Sequence, residues 1–370
     1  MKPTPEPVYY ADYLRLDNIL SSQYPVSAER GTAAHDETLF IIIHQVYELW
    51  FKQLLHELRS VCTIFAQHYV DEASVGVAAH RLERVTEIQK LLIDQIRVLE
   101  TMTPLDFLEF RDMLLPASGF QSVQFRLIEN LLGIRPDARM KYNKDAYYAH
   151  LAPEHRRVIQ ESEQKASLFT LIEQWLERTP FLDFRGFNFW DYYRTAVNGM
   201  LATDRGIIRS NPLSSDEEKE KQLKELERNE DHFAALFDER KHRDLVEQGH
   251  RRLSHKATLA ALLIHLYRDQ PILHLPFRVL TLLVDMDELF TTWRYRHAVM
   301  AHRMIGTRVG TGGSTGYAYL KATVDKYKVF SDFFDLSTFL IPRSLLPELP
   351  REVTRHLGFY YSDAHPEGSQ

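Results

Sequence analysis

A chain of 370 residues, 44% hydrophobic and 26% charged, can bury one large core or two ordinary ones, and its composition is that of a globular protein. A formal net charge of −6, with Lys and Arg scattered rather than blocked, argues against nucleic acid, which selects a basic face. One cysteine, Cys62, excludes an internal disulfide framework or a thiolate metal cluster within one chain and fits a reducing compartment.

Met1 to Tyr10 holds three prolines and no apolar core, so it does not read as a secretory signal. The longest apolar run, Ala257 to Tyr267, is too short to span a membrane and is interrupted by His265. The expectation is a soluble, cytoplasmic protein without a membrane or nucleic-acid partner.

Helical periodicity dominates and strand signals are scarce. Asp36 is placed to cap a helix that starts near Glu37 and carries Leu39, Ile43, Tyr47, Trp50, Leu54 and Leu58. Phe40, His44, Tyr47 and Phe51 share one face of it, which sets a histidine one turn from an aromatic wall. A second amphipathic stretch runs from about 78 to 99. Thr103-Pro104-Leu105-Asp106 reads as a helix start, with Thr as N-cap, Pro first inside and an acidic first turn. That helix is expected to end before Pro116 and to carry Phe107, Arg111 and Leu114 on one face.

A further helix follows Ser118-Gly119 and runs to Leu132-Gly133. Residues 134–210 are mixed, with aromatic clusters such as Phe187 to Tyr193. Ser214 to Asp231 alternates charge at helical spacing and reads as a solvated helix. Helices are expected again at about 254–267, 277–305 and 317–334, with a glycine-rich turn from Gly306. No linker or internal repeat divides the chain. The reading is one all-α domain over residues 1–343, with a helical excursion at about 134–250. The tail at 344–370 carries no readable pattern and is a candidate for disorder.

Four features are anomalous for a plain helical bundle. Met286, Phe290, Trp293, His297, Met300 and Met304 advance by alternating steps of four and three along one face, and only His297 is polar. It is either a core histidine bonded to a carbonyl or a metal ligand in an apolar cavity. His44 poses the same choice. Arg111 on an apolar face needs an anion, supplied by a protein carboxylate or by a ligand held through two parallel bonds. Gly310 to Gly316 could close over an anion, but the P-loop ending is missing and a helix precedes it. Glu239-x-x-His242 and Glu247-x-x-His250 match the spacing of di-iron bundles. Both lie in polar stretches, and about one such match is expected by chance, so that reading is set aside.

Several ordered blocks bear a family resemblance: HDETLFIIIHQVYELWFKQ from His35 to Gln53, ETMTPLDFLEFR from Glu100 to Arg111, and PASGFQS from Pro116 to Ser122. WRYRH at 293–297 and GTGGSTG at 310–316 follow, with WLERTP at 175–180, GFNFW at 186–190 and LSTFLIPR at 336–343 in agreement. From about Tyr10 to Arg343 the chain resembles the tryptophan 2,3-dioxygenase family. Val46 stands where many members have Ala.

The resemblance implies an all-helical, tryptophan/indoleamine dioxygenase-like fold with haem b in its core, one per subunit, active as Fe(II). The implied reaction inserts both atoms of the co-substrate O₂ across the indole C2–C3 bond of L-tryptophan. The product is N-formyl-L-kynurenine, at the first step of tryptophan degradation by the kynurenine route. His297 would be the proximal iron ligand, and His44 would lie near the indole N–H as a catalytic or orienting group. Phe40, Ile41, Ile42, Ile43, Phe107 and Leu114 would line the substrate pocket, and Arg111 would hold the substrate carboxylate. Thr311 would meet the amino-acid end. Tyr10-Ala-Asp-Tyr13 resembles the segment that the family lends to a neighbouring pocket, which implies a homotetramer. The competing class is a helical haem-binding sensor, which would need no Arg111 clamp.

Overall fold

The computed structural model describes residues 7–135, 139, 148, 151–180, 183–184, 187–308 and 316–358. Three short helices lead in: α1 (Tyr10–Leu14), α2 (Leu16–Leu20) and α3 (Val26–Glu29). The long α4 (Glu37–Phe65) follows, but Asp36 makes no capping bond with its side chain. Instead the Glu37 carboxylate turns back and accepts from the amides of Val26 at 2.8 Å and Ser27 at 2.9 Å. Those are unpaired amides at the start of α3, so the buried Glu37 fastens the N-terminal segment to α4.

Helix α5 (Glu72–Leu99) starts earlier than its apolar pattern, because Asp71 caps it by accepting from Ser74 N at 2.7 Å. Helix α6 (Pro104–Arg111) opens with the expected reciprocal cap: Thr103 Oγ1 accepts from Asp106 N, and the Asp106 carboxylate accepts from Thr103 N at 2.8 Å. Helix α7 (Val123–Leu132) ends at Gly133, whose φ of 114° favours glycine. A side chain there would also meet Ser167 Oγ at 2.8 Å.

Then come α8 (Pro153–Glu163), α9 (Leu168–Glu177), α10 (Phe189–Ser210), α11 (Asp216–Phe237) and α12 (Glu239–Glu247). Asp183–Phe184 pairs antiparallel with Phe187–Asn188, a two-residue ladder in a helical protein. The sequence of α13 (His255–Leu266) is apolar on nearly every side, and the helix is correspondingly buried. Helix α14 (Pro271–Ile305) contains Pro276 and begins six residues before the expected start.

The helix expected over 317–334 is two: α15 (Gly316–Lys326) and α16 (Ser331–Asp335). The buried Asp287 carboxylate breaks it by accepting from Val329 N at 3.1 Å and Phe330 N at 2.6 Å, which draws those amides out of a helical ladder. Beyond residue 343 the chain is not patternless. α17 (Arg351–Leu357) buries Val353 and Leu357 against the main core, and Tyr267 donates to Pro347 O at 2.7 Å.

One hydrophobic cluster runs from Phe51 to Leu357 and takes in Phe189, Tyr193 and Val197 of α10 and Phe233 and Leu236 of α11. The excursion helices therefore share the main core. A smaller cluster of Ile43, Ile96, Leu99, Met102, Phe110, Met300 and Met304 lies between α4, α5, α6 and α14. Helix α5 packs against both α4 and α14, which make little direct contact with each other. The space they leave is the site. Among the described residues no helix is long and apolar enough to cross a membrane.

Candidate active site

A cavity of about 300 Å³ opens between these helices. Helix α4 presents Phe40, His44, Tyr47, Glu48 and Phe51 to it, and α14 presents Trp293, Arg294, His297, Met300 and Met304. Phe107 and Arg111 come from α6, and Ser118, Gly119, Phe120 and Ser122 from the stretch before α7. Five of the expected residues therefore meet in one wall: Phe40, His44, Phe107, Arg111 and His297.

Ile41, Ile42 and Ile43 do not line it. Successive residues of a helix turn by about 100°, so the run after Phe40 leaves the cavity face until His44 returns to it. Ile43 is buried in the small core cluster and Ile42 is exposed. Leu114 packs against that same cluster without lining the cavity. Tyr10 and Tyr13 lie on α1, 69% and 74% exposed, away from this chain's own cavity. Thr311 and the glycine loop at 310–315 lie outside the described residues.

His297 stacks on Trp293, with ring centroids 5.4 Å apart and planes at 14°. Burial, reinforced by His44, pushes its pKa down to about 4, so it is neutral at pH 7. Among the described residues neither of its ring nitrogens has a hydrogen-bond partner. The bland alternative, a core histidine bonded to a carbonyl, does not occur at this position. His242 is such a histidine, with Nε2 2.9 Å from Leu253 O, which disposes of the di-iron spacing at 239–242.

His44 has Nδ1 2.7 Å from Phe40 O, so Nδ1 carries the proton and Nε2 the lone pair. Its ring is exposed on the cavity side, yet burial still pushes its pKa down, against the opposing pull of the Phe40 bond and Glu48. Phe40 lies 4.1 Å from the His44 ring and 5.7 Å from Phe107, which meets Phe110 edge-on at 5.4 Å. Arg111 is 13% exposed and donates from Nη1 to Asp112 Oδ1 at 2.9 Å, while the Asp112 side chain is 80% exposed. That partner is solvated, so the pair is weak and exchangeable.

Sequence reasoning missed the charged end of the cavity. The buried Glu129 carboxylate accepts from Arg126 at 2.9 Å, Arg139 at 2.7 Å and Arg294 at 3.1 Å. Burial pushes its carboxyl up, but the three guanidiniums outweigh that and hold it at about 2. Arg294 sits inside the WRYRH block, which could have flagged it, whereas Arg126 and Glu129 give no local signal. Glu48 was also missed, although it is one turn from His44 on the same face. Gln124 donates to its carboxylate at 2.8 Å.

These donors fit a haem. Among the described residues no three His, Cys, Asp or Glu side chains gather as a metal site. The neutral His297 imidazole, with both nitrogens uncommitted, therefore suits a metal that brings its own ring of ligands. The cavity wall is apolar along Ile96, Leu99, Met102, Met300, Met304 and Ile305, and charged along Arg126, Glu129 and Arg294. That division matches a porphyrin, apolar on one edge and carboxylated on the other. The Trp293 indole N–H, buried in the same wall, reaches no acceptor at hydrogen-bond geometry.

A family profile for tryptophan 2,3-dioxygenase matches residues 4–340. The chain belongs to the tryptophan 2,3-dioxygenase family. It is 53% identical over 355 residues to the tryptophan 2,3-dioxygenase of Bdellovibrio bacteriovorus, covering 96% of this chain and 99% of that one. The Dictyostelium discoideum enzyme of that name is 49% identical over 356 residues, 96% of this chain and 89% of the relative. The Mus musculus enzyme is 47% identical over 342 residues, 92% and 84% of the two chains. The match spans both wall helices, α4 and α14, so the residues of the cavity lie within the family's shared sequence.

Proposed function

We propose that this chain is a haem-dependent dioxygenase that converts L-tryptophan and O₂ to N-formyl-L-kynurenine. The observation that carries the reading is the pair of neutral imidazoles, His297 on α14 and His44 on α4, in one apolar cavity that also contains Arg111. Neither histidine is spent on the packing of a bundle, and each has a nitrogen available to a ligand.

His297 would hold the iron of haem b, one per subunit. The ferrous haem, when bound, supplies the activation of O₂, and both oxygen atoms end in the product. The protein's own part is placement. His44 Nε2 accepts from the indole N–H and fixes the ring against Phe40 and Phe107. Arg111 exchanges its solvated Asp112 partner for the substrate carboxylate, which offers two parallel acceptors to the guanidinium. The aromatic wall of Phe40, Phe107 and Phe110 keeps water from the indole face. Thr311 completes the hold on the amino-acid end. Exposed Tyr10 and Tyr13 support a homotetramer in which α1 reaches a neighbouring site. A lone, buried Cys62 suits the cytoplasm.

The test is the absorption spectrum of the purified protein with and without L-tryptophan, alongside product formation, in the parent and in His297→Ala. The parent should show a Soret band that shifts with tryptophan, and the variant should lose haem or change its ferrous spectrum. An unchanged ferrous spectrum at normal haem content would remove His297 from its role. A tryptophan-insensitive band with no turnover would favour a sensor.

A further inference from the structure

Three of the chain's eight methionines, Met102, Met300 and Met304, converge on one end of the cavity. Met300 and Met304 follow His297 by three and seven residues, so α14 delivers both thioethers on the face that carries the imidazole. Met102 arrives from the turn between α5 and α6. The three are only 2%, 8% and 7% exposed in the order 102, 300, 304, and all belong to the small core cluster beside Phe40 and Phe107. Leucine would fill this space as well. What separates the two residues is chemistry: the thioether is the apolar side chain that accepts an oxygen atom under mild conditions.

The same chain supplies its own references. Met286 shares the α14 stripe but is buried outside the cavity, and Met113 and Met200 are half-buried and do not line it. A bulk oxidant would reach Met113 and Met200 first. An oxidant present within the cavity would meet Met102, Met300 and Met304 first.

Resting on the dioxygenase reading above, we infer that these three methionines form an oxidation site that intercepts hydrogen peroxide in the cavity, sparing Trp293 and His297. In this step the thioether sulfur attacks one peroxide oxygen, the O–O bond breaks and an S–O bond forms. The sulfur is oxidised by two electrons to the sulfoxide, and the other oxygen leaves as water with both hydrogens. Each sulfoxide then puts a polar group into the apolar end of the cavity, which weakens the hold on an apolar ligand edge.

The experiment compares haem-loaded protein, reduced and then exposed to air so that peroxide is released within the cavity, with haem-free protein given hydrogen peroxide in solution. Oxygen addition at each methionine is mapped by peptide mass spectrometry. In the loaded protein Met102, Met300 and Met304 should gain oxygen several-fold faster than Met113 and Met200, with Met286 unmodified. In the haem-free protein Met113 and Met200 should lead. If Met113 and Met200 lead in both, the inference is overturned. A protein that takes up no haem overturns the functional reading and this inference with it.

A second arm replaces all three with leucine, close to a volume-conserving change. At matched initial haem content, M102L/M300L/M304L should bleach its haem and oxidise Trp293 several-fold faster per peroxide added. If the triple variant folds poorly, Met300→Leu alone should shift oxidation onto Met304. Bleaching at the parental rate, or no shift in the single variant, would count against the site.

Discussion

His44 and His297 are neutral for one reason, burial, and differ in what their nitrogens do. His44 has one nitrogen committed to Phe40 O, which fixes its tautomer, whereas His297 has neither committed. An orienting role for His44 amounts to one hydrogen bond, so His44→Ala should keep its haem and lose about 5- to 150-fold in turnover, from roughly 1–3 kcal/mol. Complete loss of turnover with haem and tryptophan still bound would point instead to obligatory proton transfer. For Arg111 the exposed Asp112 makes the clamp testable, since Arg111→Leu leaves that carboxylate in water rather than stranded. Tryptophan affinity should fall on the order of 2–5 kcal/mol. The preference for tryptophan over tryptamine should shrink as well. Loss of the solvated Asp112 pair should itself cost the substrate-free variant only about 0–1 kcal/mol in thermal unfolding. A large stability loss with an unchanged tryptophan-to-tryptamine ratio would show that Arg111 serves the fold.

At the scale of the element, α4 and α14 are two helical faces turned toward each other across a gap bridged by α5. The helical repeat selects Phe40, His44, Tyr47, Glu48 and Phe51 and rejects Ile41 to Ile43. Helix α6 is eight residues long and carries both Phe107 and Arg111, so its reciprocal cap bears directly on the site. Thr103→Ala should cost about 1 kcal/mol. It should also raise KM for tryptophan more than it lowers kcat, because fraying of α6 displaces the carboxylate clamp. An unchanged KM at that stability loss would mean that α6 is held by its packing alone. Helix α1 makes the opposite case: its tyrosines face outward and no buried residue holds it. Removal of residues 1–14 should leave haem content near normal while lowering activity and dissociating the proposed homotetramer, followed by sedimentation and turnover. Full activity in a demonstrated monomer would sink the shared-site arrangement.

Across the whole molecule the buried ionisable groups set the response to acid. The folded pKa of His297 lies near 4, below its ordinary value of 6.5, so the unfolded chain binds the proton first. Stability of the haem-free protein should therefore fall as pH drops from 6.5 toward 4. Glu129 acts lower. Its folded pKa near 2 lies under the ordinary 4.5, so its contribution is present above 4.5 and is lost as pH falls toward 2. Denaturant titrations across this range should show both windows. His297→Leu should shrink the first, to which His44, His242 and His265 also contribute because burial lowers their pKa as well. Glu129→Gln should flatten the second, at a cost of roughly 3–5 kcal/mol near pH 7 from three guanidiniums left without their carboxylate. A single window unaffected by either substitution would show that other groups govern acid unfolding.

Helical spacing is a local property, which is why all-α character, the start of α6 and the placement of Phe40, His44, Phe107, Arg111 and His297 were legible in the sequence alone. Each depends on residues within a turn or two, and the family blocks added the chemistry. What the sequence left undecided are contacts between residues far apart in the chain. Glu37 looks like an ordinary first-turn acid until α3 brings two amides to it, and Asp287 looks like part of a helix until it captures Val329 and Phe330. Glu129 becomes the centre of three arginines only when Arg294 of α14 and Arg139, beyond the end of α7, are brought to it beside Arg126 of its own helix. The same holds for the tail: α17 has no pattern long enough to read, and its order comes from burying Val353 and Leu357 in the shared core. Hydrogen bonds and burial reach across the chain without regard to sequence distance. Local periodicity could therefore place single residues on a helix face, but only packing could bring those faces together around one cavity.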